Sequence, residues 1–408
     1  MFEFHPYYTN DGSVGLYNNE YDDIYHSADG ALTEAYEKFI YPIDFSNLLK
    51  KEKICVLDIC YGIGYNSKSF LNFILENFIS PYGYESIYSD NNLLKEKYND
   101  MIYTNKIFSK IFITALDIDE NLFFLSPFIK TGVKKIKNKN IDFEYSKIDK
   151  YLKNNNAKHK IKINNLINFL ILDKLVGFMP NFTGNSTLLE IISDSKYKSF
   201  LDPNFKGIYQ ILSNKPYTFN IKPLNWLNLH NIYYQYLSKH YKNGIKRLHL
   251  DDINFNPRIG DARVLVKNDS NVYDLIFLDA FTPSKCPCLW SFEFFKELFR
   301  LLDEEGILLT YSMSAPVRNA MIKSGFYIGN IYNERLKKYT GTIAAKKNSK
   351  IKHPLSKFDL GLLETKSGIV YHDKNLMSQN EAIIEARNNE VRNSNLLSGS
   401  QYKKSKIL

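Results

Sequence analysis

Apolar runs alternate with helical periodicities along this chain of 408 residues, and the alternation predicts an α/β fold. The first run, residues 54–60, precedes a glycine-containing turn and an amphipathic stretch, so it predicts a buried strand that leads into a helix. Asn66 or Ser67 could cap that helix, because both residue types are favoured at N-caps. A second run, which begins near residue 110, predicts a strand that ends in carboxylates at Asp117 and Asp119.

The second half of the chain shows the same alternation. Residues 272–281 form a nearly continuous apolar run that ends near Asp279, which is typical of a central parallel strand covered on both faces. A helix is predicted over about 290–302, and the apolar run after it predicts another strand. Residues 326–332 and 339–347 predict a final pair of strands, the last of them antiparallel.

The pattern divides the chain into five segments. Two of them hold the strands and motifs of one sheet domain, and a long, largely helical insertion without motifs separates them. In the tail, Ser378 and Glu381 have the spacing of a capping box, which predicts a short helix. The segments are an N-terminal segment (1–48), the first half of the sheet domain (49–119), the insertion (120–246), the second half of the sheet domain (247–347) and the tail (348–408).

Composition and charge narrow the class of protein. The 44% hydrophobic and 24% charged residues are globular values, which exclude wholesale disorder and a fibrous repeat. The net charge of +9 is uneven, because the first 50 residues carry a net −7 and residues 130–162 carry a net +8. That Lys-rich stretch is typical of a solvated face or loop, and it also permits contact with a nucleic acid.

The sequence also bears on metals and location. The four Cys show no zinc-finger spacing with one another or with His, so no structural metal is expected. The N-terminus lacks the basic end and apolar run of a signal peptide, and no apolar stretch approaches the length of a membrane span. We therefore expect a cytoplasmic protein without membrane contact.

Three short motifs occur in the order that a nucleoside-cofactor fold requires. The first contains Asp58, Gly62 and Gly64, between the first strand and its helix, where glycines let the backbone approach a ligand. The full dinucleotide fingerprint is absent because Ser67 occupies its third glycine position, and this argues against NAD or FAD. The second motif is Asp117, which is placed to accept both hydroxyls of a ribose, although a lone strand-end acid is more often only solvated.

The third motif is Gly260-Asp261-Ala262, at a predicted strand end before a helix, where Asp261 can accept a hydrogen bond from an adenine amino group. Each motif is weak evidence alone. Joined in order, they favour S-adenosylmethionine over a dinucleotide as the cofactor. S-adenosylmethionine, unlike a dinucleotide, has no pyrophosphate for the protein to bind. Asp58 and the glycine turn can instead bind the amine of its methionine part.

The strand that ends near Asp279 is followed by Phe281 and Pro283. These residues place a carboxylate, a ring and a rigid turn at the carboxyl edge of the sheet, where ligands bind in open α/β folds. A carboxylate that accepts an N–H bond can orient an amine for methyl transfer. Because an ordinary aspartate has a pKa of about 3.9 and is a weak base, we assign Asp279 amine positioning first and proton acceptance second. The alternative is that Asp279 caps the following helix.

Longer stretches resemble the MnmC-type tRNA methyltransferase domain, over about 1–119 and 247–380. The similar stretches are 9–35, LDICYGIGYN at 57–66, GDAR at 260–263, LDAFTPSKCPCLW at 278–290, and 310–326, 339–347 and 368–376. The resemblance implies a class I S-adenosylmethionine-dependent methyltransferase with a Rossmann-like, mostly parallel sheet and a final antiparallel strand. The substrate would be the anticodon region of tRNA. The amine of wobble 5-(aminomethyl)-2-thiouridine would be methylated to the 5-methylaminomethyl product.

The resemblance also implies roles for single residues. For the cofactor, Gly62 and Gly64 would line the site, Asp117 would bind the ribose, and Asp261 and Ala262 would bind the adenine. For the substrate, the aminomethyl base would be received by Asp279, Phe281 and Pro283. The same cleft would be bordered by His26, Ser27 and Glu34.

Some features depart from the family pattern. Cys60 stands where the first loop glycine is usual, and Cys286 stands where Asn is usual. No FAD oxidase domain follows, so the protein would depend on other enzymes to install the aminomethyl group. Two alternatives remain open: an aminopropyltransferase of the spermidine synthase kind, which shares the sheet and the strand-end Asp, and a non-catalytic tRNA-binding module.

Overall fold

A computed structural model of the chain describes residues 4–19, 23–25, 30–74, 110–130, 165–178, 199–201 and 253–405. His26, Ser27 and most of the insertion at 120–246, including the Lys-rich stretch beyond Lys130, lie outside the described residues. The chain forms two compact units. The first unit comprises Met1–Ile54 and Tyr61–Pro257, and the second comprises Cys55–Cys60 and Arg258–Leu408.

Seven strands of the described residues form one sheet: β4 (Lys53–Ile59), β5 (Lys110–Asp117), β6 (Ile253–Ile259), β7 (Tyr273–Leu278), β8 (Leu302–Thr310), β9 (Tyr327–Asn333) and β10 (Lys338–Ala345). Their order in the sheet is β6-β5-β4-β7-β8-β10-β9. Strand β7 is parallel to both β4 and β8, whereas β10 is antiparallel to both β8 and β9. The predicted class, a mostly parallel sheet with a final antiparallel strand, is therefore confirmed.

The first unit also contains a small antiparallel sheet of β1 (Phe4–Tyr8), β2 (Val14–Asn18) and β3 (Asp23–Ile24). Its helices are α1 (Ala31–Glu34), a π-helix (Ala35–Ile40), α2 (Phe45–Leu48), α3 (Tyr65–Ile74), α4 (Glu120–Leu125) and α5 (Asn165–Phe178). Its interior contains aromatic as well as aliphatic side chains, and Tyr7, Tyr17, Tyr36 and Phe39 are fully buried. Core packing thus accounts for these aromatic residues.

The second unit is organised around β7, in which all six residues are buried. Its helices are α6 (Ala262–Lys267), α7 (Phe292–Leu301), α8 (Ala315–Lys323), α9 (Lys357–Leu363), α10 (Asn380–Asn393) and α11 (Gly399–Ser405). Helix α7 buries an apolar face that includes Phe294 and Leu298, and the Ser291 hydroxyl accepts the Phe294 N–H at 3.2 Å to cap it. Because Ser291 caps this helix, Asp279 does not, and the capping alternative for Asp279 is not supported.

Two predicted helix starts are wrong. Helix α3 begins at Tyr65, with the Gly64 carbonyl accepting from Lys68 N at 2.9 Å, so Asn66 and Ser67 lie inside its first turn. Helix α10 begins at Asn380 after Gln379, whose side chain makes no capping hydrogen bond, so the capping box predicted for the tail is absent there. The predicted Ser378 cap fails because Ser378 N donates instead to Asp373 Oδ1 at 3.0 Å. A capping box does occur in the tail, between Ser356 and Asp359 at the start of α9.

Among the described residues, no helix combines the length and the apolar character needed to cross a bilayer.

Candidate functional site

The turn between β4 and α3 has a left-handed backbone at three alternate residues. The φ angles are 62° at Cys60, 56° at Gly62 and 82° at Gly64. Left-handed residues interspersed in a turn bring backbone N–H groups onto one side, which suits an approaching polar ligand. Cys60 adopts this conformation although it is not glycine, at a cost of about 1 kcal/mol.

Gly64 is required by its surroundings as well as by its backbone angle. A Cβ placed there would lie 2.3 Å from the ring of Tyr61. That ring cannot move away easily, because it stacks on Phe123 with centroids 4.8 Å apart and its hydroxyl lies 2.9 Å from Ser126 Oγ. The turn is therefore held on one side by a fixed aromatic ring, a feature that the glycine spacing alone does not reveal.

Asp117, the last residue of β5, is joined to this turn. Its Oδ2 accepts the Gly62 N–H at 2.8 Å, and its Oδ1 accepts the Asp119 N–H at 3.1 Å. The side chain is 8% exposed. Burial outweighs these hydrogen bonds and raises its pKa from the ordinary 3.8 to about 6. The structure thus brings the predicted glycine turn and the predicted ribose-binding carboxylate together.

In the second unit, Asp58 and Asp279 follow from the pairing of two parallel strands. Asp58 on β4 is paired with Phe277 on β7, and Ile59 is paired with Leu278. The next residue, Asp279, donates its N–H to the Ile59 carbonyl at 3.3 Å. Asp58 is fully buried, and Asp279 is half-buried just beyond the strand end. The two predicted acids therefore lie close to each other at the carboxyl ends of neighbouring strands.

The loop after β7 is fixed by two aromatic residues that the sequence analysis did not single out. The Tyr311 hydroxyl donates to the Ala280 carbonyl at 2.9 Å, and Trp290 Nε1 donates to the Phe281 carbonyl at 2.8 Å. The Trp290 and Tyr311 rings meet edge to face with centroids 5.8 Å apart. Phe281 and Pro283 themselves are half-buried. The loop is thus rigidly held while Phe281 and Pro283 keep part of their surface exposed.

The Gly260–Arg263 loop follows β6. Asp261 caps α6 by accepting the Arg263 N–H at 2.9 Å, and Ala262 is 8% exposed in the first turn. The Arg263 guanidinium also binds both oxygens of Asp261, with Nε 3.1 Å from each and one terminal nitrogen 2.7 Å from Oδ2. Sequence patterns identify Arg263 only as part of a motif. Its spacing from Asp261, two residues on in the first helical turn, is the signal that could have revealed the pair.

Asp11 organises the N-terminal segment. Its Oδ1 accepts from Thr9 Oγ1 at 2.8 Å and from Ser13 N at 2.9 Å, and its Oδ2 accepts from Thr33 N at 2.8 Å. Gly30 has a φ of 149°, and a Cβ there would lie 2.2 Å from Asp11 Oδ2. Glu34, at the end of α1, forms an ion pair with Lys38 one turn later. Glu34 is therefore placed next to a segment that Asp11 fixes, whereas His26 and Ser27 lie outside the described residues.

The two cysteines of the C-x-C sequence interact directly. Cys286 Sγ lies 3.6 Å from Cys288 Sγ. This contact and burial raise the pKa of the Cys286 thiol, whereas the same contact, helped by the charge of Arg263, lowers the pKa of the Cys288 thiol. Cys286, the departure from the usual Asn, is thus the more weakly acidic thiol of the pair.

Comparison with known proteins gives matches in sequence and in structure. Residues 227–347 match the model of a family described as S-adenosyl-L-methionine-dependent methyltransferase. An uncharacterized protein of Methanocaldococcus jannaschii is 30% identical over 136 residues, which are 33% of this chain and 38% of that protein. The tRNA 5-methylaminomethyl-2-thiouridine biosynthesis bifunctional protein MnmC of Burkholderia thailandensis is 36% identical over 85 residues, which are 20% of this chain and 13% of that protein. The matches therefore span well under half the length of these relatives.

The crystal structure of MnmC2 from Aquifex aeolicus superposes with a TM-score of 0.51 at 17% identity, covering 96% of this chain and 86% of that one. At 17% identity, this superposition is evidence for a shared fold alone. Fold and family match together define a class I methyltransferase whose cofactor is S-adenosylmethionine. Within that class, the chain is similar to the MnmC proteins, in sequence over 85 residues of the Burkholderia protein and in fold to the Aquifex structure.

Several of the residues present fit this cofactor. The glycine turn offers backbone N–H groups, and the carboxylate of Asp117 is held beside it by backbone hydrogen bonds. Asp261 combines a fixed position with a side chain that is 34% exposed, so it can still accept a hydrogen bond from a ligand.

Proposed function

We propose that the protein methylates the aminomethyl group of the wobble uridine in tRNA, giving 5-methylaminomethyl-2-thiouridine. The observation that carries the proposal is the rigid loop of Asp279, Phe281 and Pro283 directly after β7, next to Asp58 at the end of β4. A fixed carboxylate beside a ring is suited to hold a planar base that bears an amine. The MnmC name of the Burkholderia relative, with its tRNA 5-methylaminomethyl-2-thiouridine product, supports this choice of substrate.

On the cofactor side, each residue has a separate task. Gly62 and Gly64 let the backbone approach the cofactor, and Asp117 accepts the ribose hydroxyls. Asp261 accepts the adenine amino group, with Ala262 against the ring. Asp58 balances the charge of the methionine amine. S-adenosylmethionine supplies an electrophilic methyl group when bound.

On the substrate side, Asp279 accepts an N–H bond from the aminomethyl group and so directs the nitrogen lone pair toward the methyl group. Orientation of this kind supplies much of the rate acceleration in a displacement between two bound molecules. Phe281 packs against the uracil ring and Pro283 keeps the turn rigid. After transfer, Asp279 can accept the proton that the secondary ammonium releases, which is the lesser of its two roles.

Two further segments of the chain have proposed roles in binding tRNA. The N-terminal segment (1–48) contributes His26, Ser27 and Glu34 to the wall of the substrate cleft, and the Lys-rich part of the 120–246 insertion contacts phosphates. Residues 49–119 and 247–347 are the two halves of the methyltransferase domain, and 348–408 is the tail. The enzyme acts in the cytoplasm, on the anticodon region of tRNA that upstream enzymes have already given an aminomethyl group.

The decisive experiment is incubation of the purified protein with S-adenosylmethionine and tRNA that carries aminomethyl-thiouridine, followed by mass spectrometry of the nucleosides. We expect conversion to the methylaminomethyl nucleoside. The Asp279→Ala variant should lose at least roughly 100-fold in turnover, because it lacks the group that orients the amine, and it should bind S-adenosylmethionine normally. Glu334→Ala, at a highly exposed ion pair of the same unit, is the matched control and should keep full activity.

Three outcomes would contradict the proposal. Unchanged turnover in Asp279→Ala would remove Asp279 from the mechanism. Product from decarboxylated S-adenosylmethionine and putrescine would identify an aminopropyltransferase instead. Calorimetric binding of tRNA without binding of S-adenosylmethionine would identify a non-catalytic tRNA-binding module.

A further inference from the structure

The Arg263 guanidinium joins the Asp261 carboxylate to a second one. One terminal nitrogen of Arg263 donates to Asp373 Oδ2 at 2.7 Å and to the Ser378 carbonyl at 2.8 Å, while the opposite edge of the guanidinium binds Asp261. Asp373 belongs to the tail, 110 positions after Arg263, and its side chain is fully buried. The planar guanidinium can serve both acids at once because its donors form a rigid fork.

Asp373 is itself fixed from two sides. Its Oδ1 accepts the Met377 N–H at 3.1 Å and the Ser378 N–H at 3.0 Å. Its own N–H donates to Glu293 Oε2 at 2.7 Å, which connects the tail to α7. Although burial opposes the charged form, these backbone hydrogen bonds and Arg263 keep the pKa of Asp373 below its ordinary value. The tail therefore presents to Arg263 a buried carboxylate whose charged form is favoured.

The consequence for Asp261 is a fixed rotamer. The N-cap bond from Arg263 N and the guanidinium bonds hold its carboxylate in one orientation. An ionised carboxylate accepts hydrogen bonds and donates none. It therefore favours a ring that carries an exocyclic amino group over a ring that carries a carbonyl in the same place.

We propose that Arg263 and Asp373 are positioning residues that give the site its specificity for adenine, so that the tail takes part in cofactor selection. The inference rests on the proposed function, in which Asp261 contacts the adenine amino group. Loss of the Asp373 charge would free Arg263 from the tail, and the Asp261 carboxylate would then lose its single orientation.

The test compares the affinities of S-adenosylhomocysteine and S-inosylhomocysteine, measured by calorimetry. The wild-type protein should prefer the adenosyl ligand by roughly tenfold or more, because the hypoxanthine carbonyl would face a carboxylate without a donor. Asp373→Asn should reduce that preference several-fold, mainly by weakening the adenosyl ligand. His372→Asn, which alters the neighbouring tail residue bonded to Glu293, is the matched control and should keep the preference.

Steady-state kinetics distinguish weaker cofactor binding from a general loss of structure. In Asp373→Asn the KM for S-adenosylmethionine should rise several-fold while kcat at saturating cofactor stays the same. Arg263→Lys keeps the charge but cannot bind two carboxylates through a planar fork, so it should reduce the preference even if Asp373→Asn folds poorly.

The possible failures are distinguishable. If both variants keep the wild-type ratio of the two affinities, the inference is wrong and the network is only structural. If the wild type binds both ligands equally, Asp261 does not contact the amino group and the inference is wrong, although methyl transfer can still occur. If the wild type binds neither ligand, the proposed function and the inference fail together.

Discussion

The two loops that are proposed to hold the nucleoside differ in how each fixes its carboxylate. In the first unit, Asp117 is held by backbone N–H groups, among them that of Gly62 in the turn at residues 60–64, and it is buried with a raised pKa. In the second unit, Asp261 is held by the side chain of Arg263, and about a third of it is exposed. Asp117 ends its strand and Asp261 follows one, yet the first is supported by backbone donors, whereas the second is supported by an arginine that also binds Asp373 in the tail.

The same contrast applies to the glycines of the two loops. A Cβ on Gly64 would lie 2.3 Å from the Tyr61 ring, whereas a Cβ on Gly260 would meet its nearest neighbour, Leu265, at 3.8 Å. The φ angle is positive at both, 82° and 143°. The first loop therefore needs glycine for space and for backbone conformation, and the second needs it for backbone conformation alone.

The largest expected effect is that of Gly64→Ala. The new methyl group would clash with a ring that is stacked on Phe123 and would also occupy a left-handed conformation, so we expect a loss of about 3 kcal/mol in the free energy of unfolding. Gly260→Ala has only the conformational penalty and should lose about 1–2 kcal/mol. Denaturant unfolding measures both values. The control is Gly177→Ala in α5, where nothing lies within 4 Å, and it should be neutral or slightly stabilising. Equal losses at Gly64 and Gly260 would contradict the contrast.

The next effect concerns the ionised carboxylate of Asp117. Asp117→Asn keeps an oxygen that can accept from Gly62 but removes the charge, so the ribose hydroxyls lose a charge-assisted hydrogen bond. We expect S-adenosylmethionine to bind roughly 30- to 100-fold more weakly, which is about 2–3 kcal/mol. Calorimetry measures the affinity, and the melting temperature without ligand shows whether the fold is retained. Affinity within twofold of wild type would mean that Asp117 does not contact the ribose.

A smaller effect should appear in the pH dependence of cofactor affinity, which depends on the protonation of Asp117. Asp117 has a pKa of about 6 in the folded protein, so at pH 5 most of it is protonated. Because the ribose binds the ionised form, affinity for S-adenosylmethionine should fall about tenfold between pH 7 and pH 5, and Asp117→Asn should abolish this dependence.

The raised pKa of Asp117 also means that the folded state takes up this proton more readily than the unfolded chain. The contribution of Asp117 to stability therefore decreases as the pH rises from about 4 to about 6. A flat affinity profile over this range in the wild type would contradict the assignment.

The elements of the first loop were predictable from sequence, and the link between Arg263 and the tail was not. The strand, glycine turn and helix around Gly62 are close in sequence, and the strand-end position of Asp117 follows from its apolar run, so the first loop could be assembled from patterns. Arg263 lies in a quoted motif, but its partner Asp373 is 110 residues away, and no periodicity connects the two. The error at the start of α10 has the same origin, because Asp373 accepts the Ser378 N–H that a capping box would have directed to the Glu381 side chain.

The anchors of the loop after β7 were also beyond sequence patterns. The acid, ring and proline at residues 279–283 were predicted as a unit, since they follow one apolar strand. Trp290 and Tyr311, which hold the carbonyls of this loop, come from the 3-10 turn before α7 and from the end of β8. Their selection depends on the packing of three elements, which the sequence of one element does not specify.

The smallest expected effect tests whether the left-handed backbone at Cys60 strains the turn after β4. Cys60 has a φ of 62°, a conformation in which glycine lacks the steric penalty of other residues. Cys60→Gly should therefore raise the free energy of unfolding by up to about 1 kcal/mol, the relief of strain being partly offset by the greater freedom of glycine in the unfolded chain. Cys60→Ala removes the thiol but keeps the strain, so it should show no such gain. If both variants gained equally, the thiol and not the backbone would be the source of the strain. If Cys60→Gly were destabilised, the contacts of the thiol would outweigh the backbone strain.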